Sequence, residues 1–188
     1  MVDLRRQYLR LRTEIDEALQ QAIDSTAFIN GPDVHSFRDE LAAYLDVEYV
    51  IPCGNGTDAL QVALMAIDLE PGDEVITTPF SFIASIEVIR LLRLVPVLVD
   101  IDPLTFNLDP SKLEAAISDK TRAIIPVHLF GQCADMESIL EIAGKHGLKI
   151  IEDTAQAIGA EYIFGDAHRM KAGTIGTIGT ASFFPSKN

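Results

Sequence analysis

The fold is decided by the stretch Lys149-Ile150-Ile151-Glu152-Asp153-Thr154-Ala155-Gln156. Its apolar run has no polar alternation, which is typical of a strand buried on both faces, as in a parallel sheet. A carboxylate, Asp153, follows where the strand ends. Such sheets bind ligands at the carboxyl ends of their strands, so Asp153 falls where a site is expected.

The same pattern recurs along the chain. Apolar runs predict strands at 49–53, 74–78, 95–101, 123–127 and 148–151, with helices between them at 57–68, 81–92, 110–118 and 134–146. Repeated βα units predict an α/β fold, a doubly wound and mostly parallel sheet with helices on both faces. The Gly- and Thr-rich stretch 171–180 is interpreted as a loop or a short hairpin.

Two amphipathic helices precede this pattern, one at 4–24 and one that ends near Leu45. Apolar residues recur there at spacings of three and four. We therefore expect two parts, an N-terminal helical segment at 1–47 that packs on a large domain, and the large domain itself at 48–188.

Composition excludes several classes of protein. The 188 residues carry a net charge of −13, which disfavours a nucleic-acid or anionic-membrane binder. Apolar residues make up 48 %, enough for a core, and no run approaches a membrane span. Cys53 and Cys133 are isolated and lack CxxC spacing, so we expect no zinc or other metal site and a reduced, cytoplasmic setting.

A glycine-rich turn, Gly54-Asn55-Gly56-Thr57, follows the first predicted strand and opens a helix. The first amides of a helix lack internal partners and attract phosphate, and the Thr57 hydroxyl adds a donor. The alternative is a tight turn capped by Asn55 or Thr57. A nucleotide-dependent oxidoreductase is disfavoured, because the acidic residue expected at the end of the second strand is absent.

Four other residues each allow two interpretations. Asp153 pairs either with a ligand cation, such as a protonated pyridine nitrogen, or with the backbone of a following helix. Phe82 either stacks on a planar ring or belongs to the core. For His128 we favour a structural role over a ligand contact. Lys187, just after the break at Pro185, is either a solvated lysine or a nucleophile for a carbonyl carbon, giving a Schiff base.

Taken together, these segments resemble the DegT/DnrJ/EryC1/StrS family of sugar aminotransferases, which are fold-type I enzymes dependent on pyridoxal 5′-phosphate (PLP). The matching stretches include Asn55–Leu60, Pro71–Ile76, Pro126–Gly131, Glu152–Ala157 and Ser182–Asn188. Their order and spacing make the match specific. The resemblance implies that 48–188 is an incomplete PLP-binding large domain, because family members are about twice as long and carry a C-terminal small domain.

The resemblance also assigns roles. Lys187 corresponds to the lysine that forms the Schiff base with PLP, and Asp153 to the carboxylate that pairs with the pyridine nitrogen. The other corresponding positions are Gln156 at the ring hydroxyl, Phe82 stacked over the ring, and Gly56, Thr57 and Ser182 at the phosphate.

The implied activity is transfer of an amino group from an amino acid, glutamate, to a keto-sugar nucleotide for surface polysaccharides. The 3-amino branch of the family, which acts on UDP-linked 3-keto-glucuronic acid derivatives, is the most similar. Alternatives are a 4-keto-6-deoxy-sugar aminotransferase and a non-catalytic domain that binds PLP or a sugar nucleotide. The resemblance further implies a homodimer with its active sites at the dimer interface.

Overall fold

A computed structural model describes residues 3–187, and the chain divides into two compact units, Met1–Pro52 and Cys53–Asn188. The first unit contains α1 (Leu4–Ser25) and α2 (Pro32–Leu45), close to the predicted positions. Asp3 caps α1 by accepting the amide of Arg6, and Pro32 begins α2, where the missing N–H costs nothing. The predicted boundary at 47/48 and the packing of this segment on the large domain stay predictions.

The second unit is built on a five-stranded parallel sheet in the order β2-β1-β3-β4-β7. Its strands are β1 (Glu74–Thr77), β2 (Val95–Leu98), β3 (Thr121–Ile124), β4 (Lys149–Asp153) and β7 (Ile178–Thr180), and a separate antiparallel hairpin consists of β5 (Glu161–Ile163) and β6 (Arg169–Lys171). The helices of this unit are α3 (Gly56–Met65), α4 (Ala84–Leu91), α5 (Leu113–Ala116) and α6 (Met136–His146). The predicted α/β fold with a mostly parallel sheet is confirmed.

Successive side chains of each strand point to opposite sides of the sheet, so the sheet has two apolar faces. Helices cover both of them. On one face, α3 and α4 pack against Val75, Ala123 and Ile151. On the other face, α5 and α6 pack against Ile76, Ile124 and Ile150. The result is a three-layer α/β/α sandwich with one apolar core on each side.

Two predictions about elements were wrong. Residues 49–53 form no strand within the described chain, and Tyr49 and Ile51 are 77 % and 79 % exposed. An apolar run becomes a strand only where a neighbouring backbone pairs with it. Conversely, the stretch 171–180, predicted as a loop or hairpin, ends in β7, which pairs in parallel with β4.

No helix within residues 3–187 is long and apolar enough to cross a membrane.

Candidate active site at the carboxyl edge of the sheet

Asp153 ends β4 as a buried carboxylate, with 6 % of its surface exposed. Its Oδ2 accepts a hydrogen bond from the Ser85 hydroxyl at 3.1 Å, and its Oδ1 accepts one from the Ala155 amide at 3.1 Å. Residues 155–159 form turns rather than a helix, so the carboxylate does not cap a helix. Burial raises the pKa of Asp153, and the bonds from Ala155 and Ser85 offset this only in part. A cation placed beside it would favour the ionised form.

Lys187 supplies an amine at the same place. The lysine is half-buried, and its Nζ lies 5.9 Å from the centroid of the Phe82 ring. Its positive charge also acts on Asp153 and opposes the effect of burial on that pKa. The structure therefore brings together an amine, a carboxylate and an aromatic ring from three separate parts of the sequence.

Phe82 lies before α4 and is 65 % exposed, so it is not a core residue. Its ring is available to lie against a planar ligand. Gln156 is half-buried and follows β4 by one turn, and its Oε1 accepts the amide of Phe130 at 3.1 Å. This bond ties the turn after β4 to the segment after β3.

The start of α3 lies against the segment that follows β7. A Cβ built on Gly56 would be 2.8 Å from the Cβ of Ser182, so only glycine allows this approach. Asn55 is the cap, because its Oδ1 accepts the amide of Asp58 at 3.0 Å. Capping and anion binding are compatible here, since other first-turn amides, including that of Thr57, remain without intrahelical partners.

His128 is fully buried, in keeping with the predicted structural role. Its Nε2 lies 2.9 Å from Oε2 of Glu152, a buried acid to which the sequence analysis assigns no role of its own. Ser85 was missed as well, because only the tertiary fold places its hydroxyl beside Asp153. For Glu152 a signal existed, since the period of a strand puts it on the face opposite Asp153.

These residues form a set that fits PLP. A buried acid suits a protonated ring nitrogen, an exposed aromatic face suits the ring, and a glycine-lined helix start with a serine hydroxyl suits a phosphate. The lysine suits the aldehyde carbon. Within residues 3–187, no three His, Cys, Asp or Glu side chains are grouped to hold a metal ion.

Comparison with known proteins gives the class of this fold and site. The model of the DegT/DnrJ/EryC1/StrS aminotransferase family matches residues 10–188. The chain belongs to this family.

Two curated relatives and one solved structure show how far the similarity extends. A pleiotropic regulatory protein of Geobacillus stearothermophilus is 50 % identical over 188 residues, which is 100 % of this chain and 49 % of that protein. A UDP-2-acetamido-2-deoxy-3-oxo-D-glucuronate aminotransferase of Pseudomonas aeruginosa is 47 % identical over 99 % of this chain and 50 % of its own length. A DegT/DnrJ/EryC1/StrS aminotransferase from Brucella abortus superposes with a TM-score of 0.92 at 40 % identity, covering 99 % of this chain and 50 % of that one.

A cofactor is present in a further solved relative. NtdA from Bacillus subtilis, with bound cofactor PMP, superposes with a TM-score of 0.83 at 40 % identity, over 93 % of this chain and 38 % of that one. The family is PLP-dependent. The chain spans about half the length of the curated relatives it matches.

Proposed function

We propose that this chain is the cofactor-binding part of a PLP-dependent aminotransferase that moves an amino group from glutamate to a keto-sugar nucleotide. The observation that carries the proposal is the meeting of Lys187, Asp153 and Phe82 at one edge of the sheet. The close approach of Gly56 to Ser182 at the start of α3 supports an anion site at the same carboxyl edge. When bound, PLP accepts the amino group from the donor and delivers it to the keto carbon of the sugar.

Each residue has a defined task in this proposal. Asp153 holds a proton on the ring nitrogen, because a carboxylate and a pyridinium stabilise each other in a buried setting. Lys187 provides the amine that attaches the cofactor and, once freed, carries a proton to and from the substrate carbon. Phe82 covers one ring face, Gln156 contacts the ring hydroxyl, and Gly56, Thr57 and Ser182 bind the phosphate.

For the substrate we propose a UDP-linked 3-keto-glucuronic acid derivative. The support is the Pseudomonas aeruginosa relative, whose name states a UDP-linked 3-oxo-glucuronate, at 47 % identity. A 4-keto-6-deoxy-sugar nucleotide is the alternative substrate. We also propose a homodimer in the cytoplasm.

The first prediction concerns Lys187 in the whole protein. PLP added to the wild type is expected to give the visible absorption band of a lysine-linked cofactor, which glutamate removes and the keto-sugar nucleotide restores. Lys187→Ala and Lys187→Arg should lack the band and the transfer, since neither residue carries a nucleophilic amine. The matched control is Lys149→Arg, which should keep both the band and the transfer. Lys149 is exposed at the end of β4 opposite Asp153.

Retention of both the band and the transfer by Lys187→Ala would refute the lysine assignment. A second candidate function, cofactor binding for regulation without catalysis, is favoured by the name of the Geobacillus relative. It predicts that the band forms in the wild type but that glutamate leaves it unchanged.

A further inference from the structure

Glu152 has a more completely bonded carboxylate than the catalytic candidate beside it. The residue is 0 % exposed. Its Oε1 accepts the amides of Ile175 at 2.7 Å and Gly176 at 2.6 Å, and its Oε2 accepts the amide of Gly173 at 2.9 Å. All three amides belong to the loop that leads into β7.

His128 provides the fourth donor to this carboxylate. The amide of Ala134 donates to its Nδ1 at 3.0 Å, so Nδ1 is the accepting nitrogen. The proton therefore lies on Nε2, which donates to Glu152 at 2.9 Å. Burial disfavours the charge on Glu152, but the bonds from His128 and from the amides of Gly176 and Gly173 outweigh it and lower its pKa. The carboxylate is thus ionised at neutral pH.

The loop held by Glu152 fixes how β7 pairs with β4. Thr177 donates its amide to the Ile150 carbonyl at 2.8 Å and accepts the Ile150 amide on its Oγ1 at 3.1 Å. Further along, the Thr180 carbonyl accepts both the amide and the hydroxyl of Thr154, each at 2.8 Å. The chain then passes to the segment that carries Ser182 and Lys187.

We propose that Glu152, oriented by His128, is a positioning residue that locks the register of β7 against β4 and so places Lys187 beside Asp153. The inference rests on the proposed function for the role of Lys187. The hydrogen bonds of the Glu152 carboxylate run to His128 and to the backbone amides of residues 173–176. It acts through the backbone of residues 173–180.

Glutamine is the sharpest substitution, because it keeps the size of Glu152 and replaces one accepting oxygen with an NH2 group. All four partners of the carboxylate are donors, so in Glu152→Gln at least one N–H faces another N–H. The matched control is Glu141→Gln, whose side chain is 70 % exposed on α6.

The first measurement is amide hydrogen exchange of the cofactor-free whole protein. Glu152→Gln is expected to speed exchange in residues 173–180 by about tenfold or more, with β1 and β3 unchanged. Glu141→Gln should leave all of these segments unchanged. Unaltered exchange at 173–180, or an equal rise throughout the sheet, would overturn the proposal.

The second measurement separates placement of the lysine from binding of the cofactor. Covalent attachment of PLP to Lys187 is trapped by borohydride and located by peptide mass, while the affinity for pyridoxamine phosphate reports binding without attachment. Glu152→Gln should lose about tenfold more in attachment than in affinity. Equal losses in attachment and in affinity would mean that Glu152 does not specifically place Lys187, which would overturn its positioning role. Failure of the wild type to take up PLP would instead overturn the proposed function. The exchange data would still test whether Glu152 holds residues 173–180 in place.

A pair of variants at His128 keeps the test open if Glu152→Gln does not fold. His128→Leu removes the donor, whereas His128→Gln offers an N–H near the position of Nε2. Exchange at 173–176 should rise in the first variant and return most of the way to wild type in the second. Equal exchange in the two variants would overturn the role of His128.

Discussion

At the scale of the residue, Asp153 is a carboxylate kept in a place that favours its neutral form. Ser85 and Ala155 satisfy both oxygens, but neither brings a positive charge. The energy lost by ionising this group in the ligand-free protein is recovered when a cation is bound beside it. The residue is therefore suited to binding a pyridinium, but its ionised form does not stabilise the ligand-free protein.

Asp153→Asn tests this balance in the ligand-free whole protein. Because the pKa of Asp153 is raised in the folded state, the unfolded state binds fewer protons, and wild-type stability falls as pH rises from the ordinary carboxyl range through the raised pKa. Asparagine keeps an oxygen for Ala155 and can donate to the Ser85 hydroxyl. The variant should therefore gain stability relative to wild type as pH rises, measured by urea unfolding at a series of pH values.

The control for this prediction is Asp119→Asn, an exposed carboxylate in the turn before β3. The same pH series on this variant shows what the loss of one exposed charge contributes. Asp153→Asn should also weaken PLP-dependent transfer by about 100-fold or more, since a neutral amide cannot hold the proton on the ring nitrogen. A variant that transfers at the wild-type rate would contradict the assignment.

At the scale of the element, β7 depends on a contact between two backbones. A Cβ on Gly179 would lie 2.0 Å from the carbonyl oxygen of Gly173 and 2.6 Å from its Cα. Neither atom belongs to a flexible side chain, so the clash can be relieved only by moving β7 or the loop before it.

We expect Gly179→Ala to destabilise the whole protein by about 1–3 kcal/mol, as overpacking does. Cofactor attachment should fall with it, because the moved strand carries Lys187 away. The matched control is Gly144→Ala in α6, where a Cβ meets nothing within 4 Å. That variant should gain about 0.5–1 kcal/mol from helix propensity. Chemical unfolding of the two proteins gives the comparison, and equal stabilities would show that β7 tolerates a Cβ.

The same element shows where prediction from sequence succeeds and fails. The strands β1, β3 and β4 were predicted because apolar runs buried on both faces leave a clear pattern. Strand β7 was not, because Ile178-Gly179-Thr180 has the composition of a turn and is held by backbone bonds to β4. The Asp153–Ser85 bond joins residues 68 positions apart, a separation that no local pattern encodes.

At the scale of the whole molecule, the candidate site is assembled from the start of α3 and from the loops that follow β1, β4 and β7, and it is held by the cores on both faces of the sheet. A ligand that bridges these loops binds only the folded protein. PLP at about 100 times its dissociation constant should therefore raise the free energy of unfolding by about 2.7 kcal/mol.

This prediction is tested by chemical unfolding of the whole protein with and without PLP, and again after PLP is removed by dialysis. Lys187→Arg should show a smaller gain than wild type at the same PLP concentration, because only noncovalent contacts remain. An identical gain in both proteins would mean that attachment contributes nothing to stability.

The adjacent acids of β4 point to opposite sides of the sheet, Glu152 toward the loop before β7 and Asp153 toward α4. Deleting or inserting a single residue within this strand would exchange the two side chains between the faces. The loop at 173–176 would then lose its hydrogen bonds to Glu152. The same change would move Asp153 away from the proposed cofactor site. Indel scanning of 149–153 should accordingly find no tolerated length change, even where conservative substitutions of the neighbouring isoleucines are accepted.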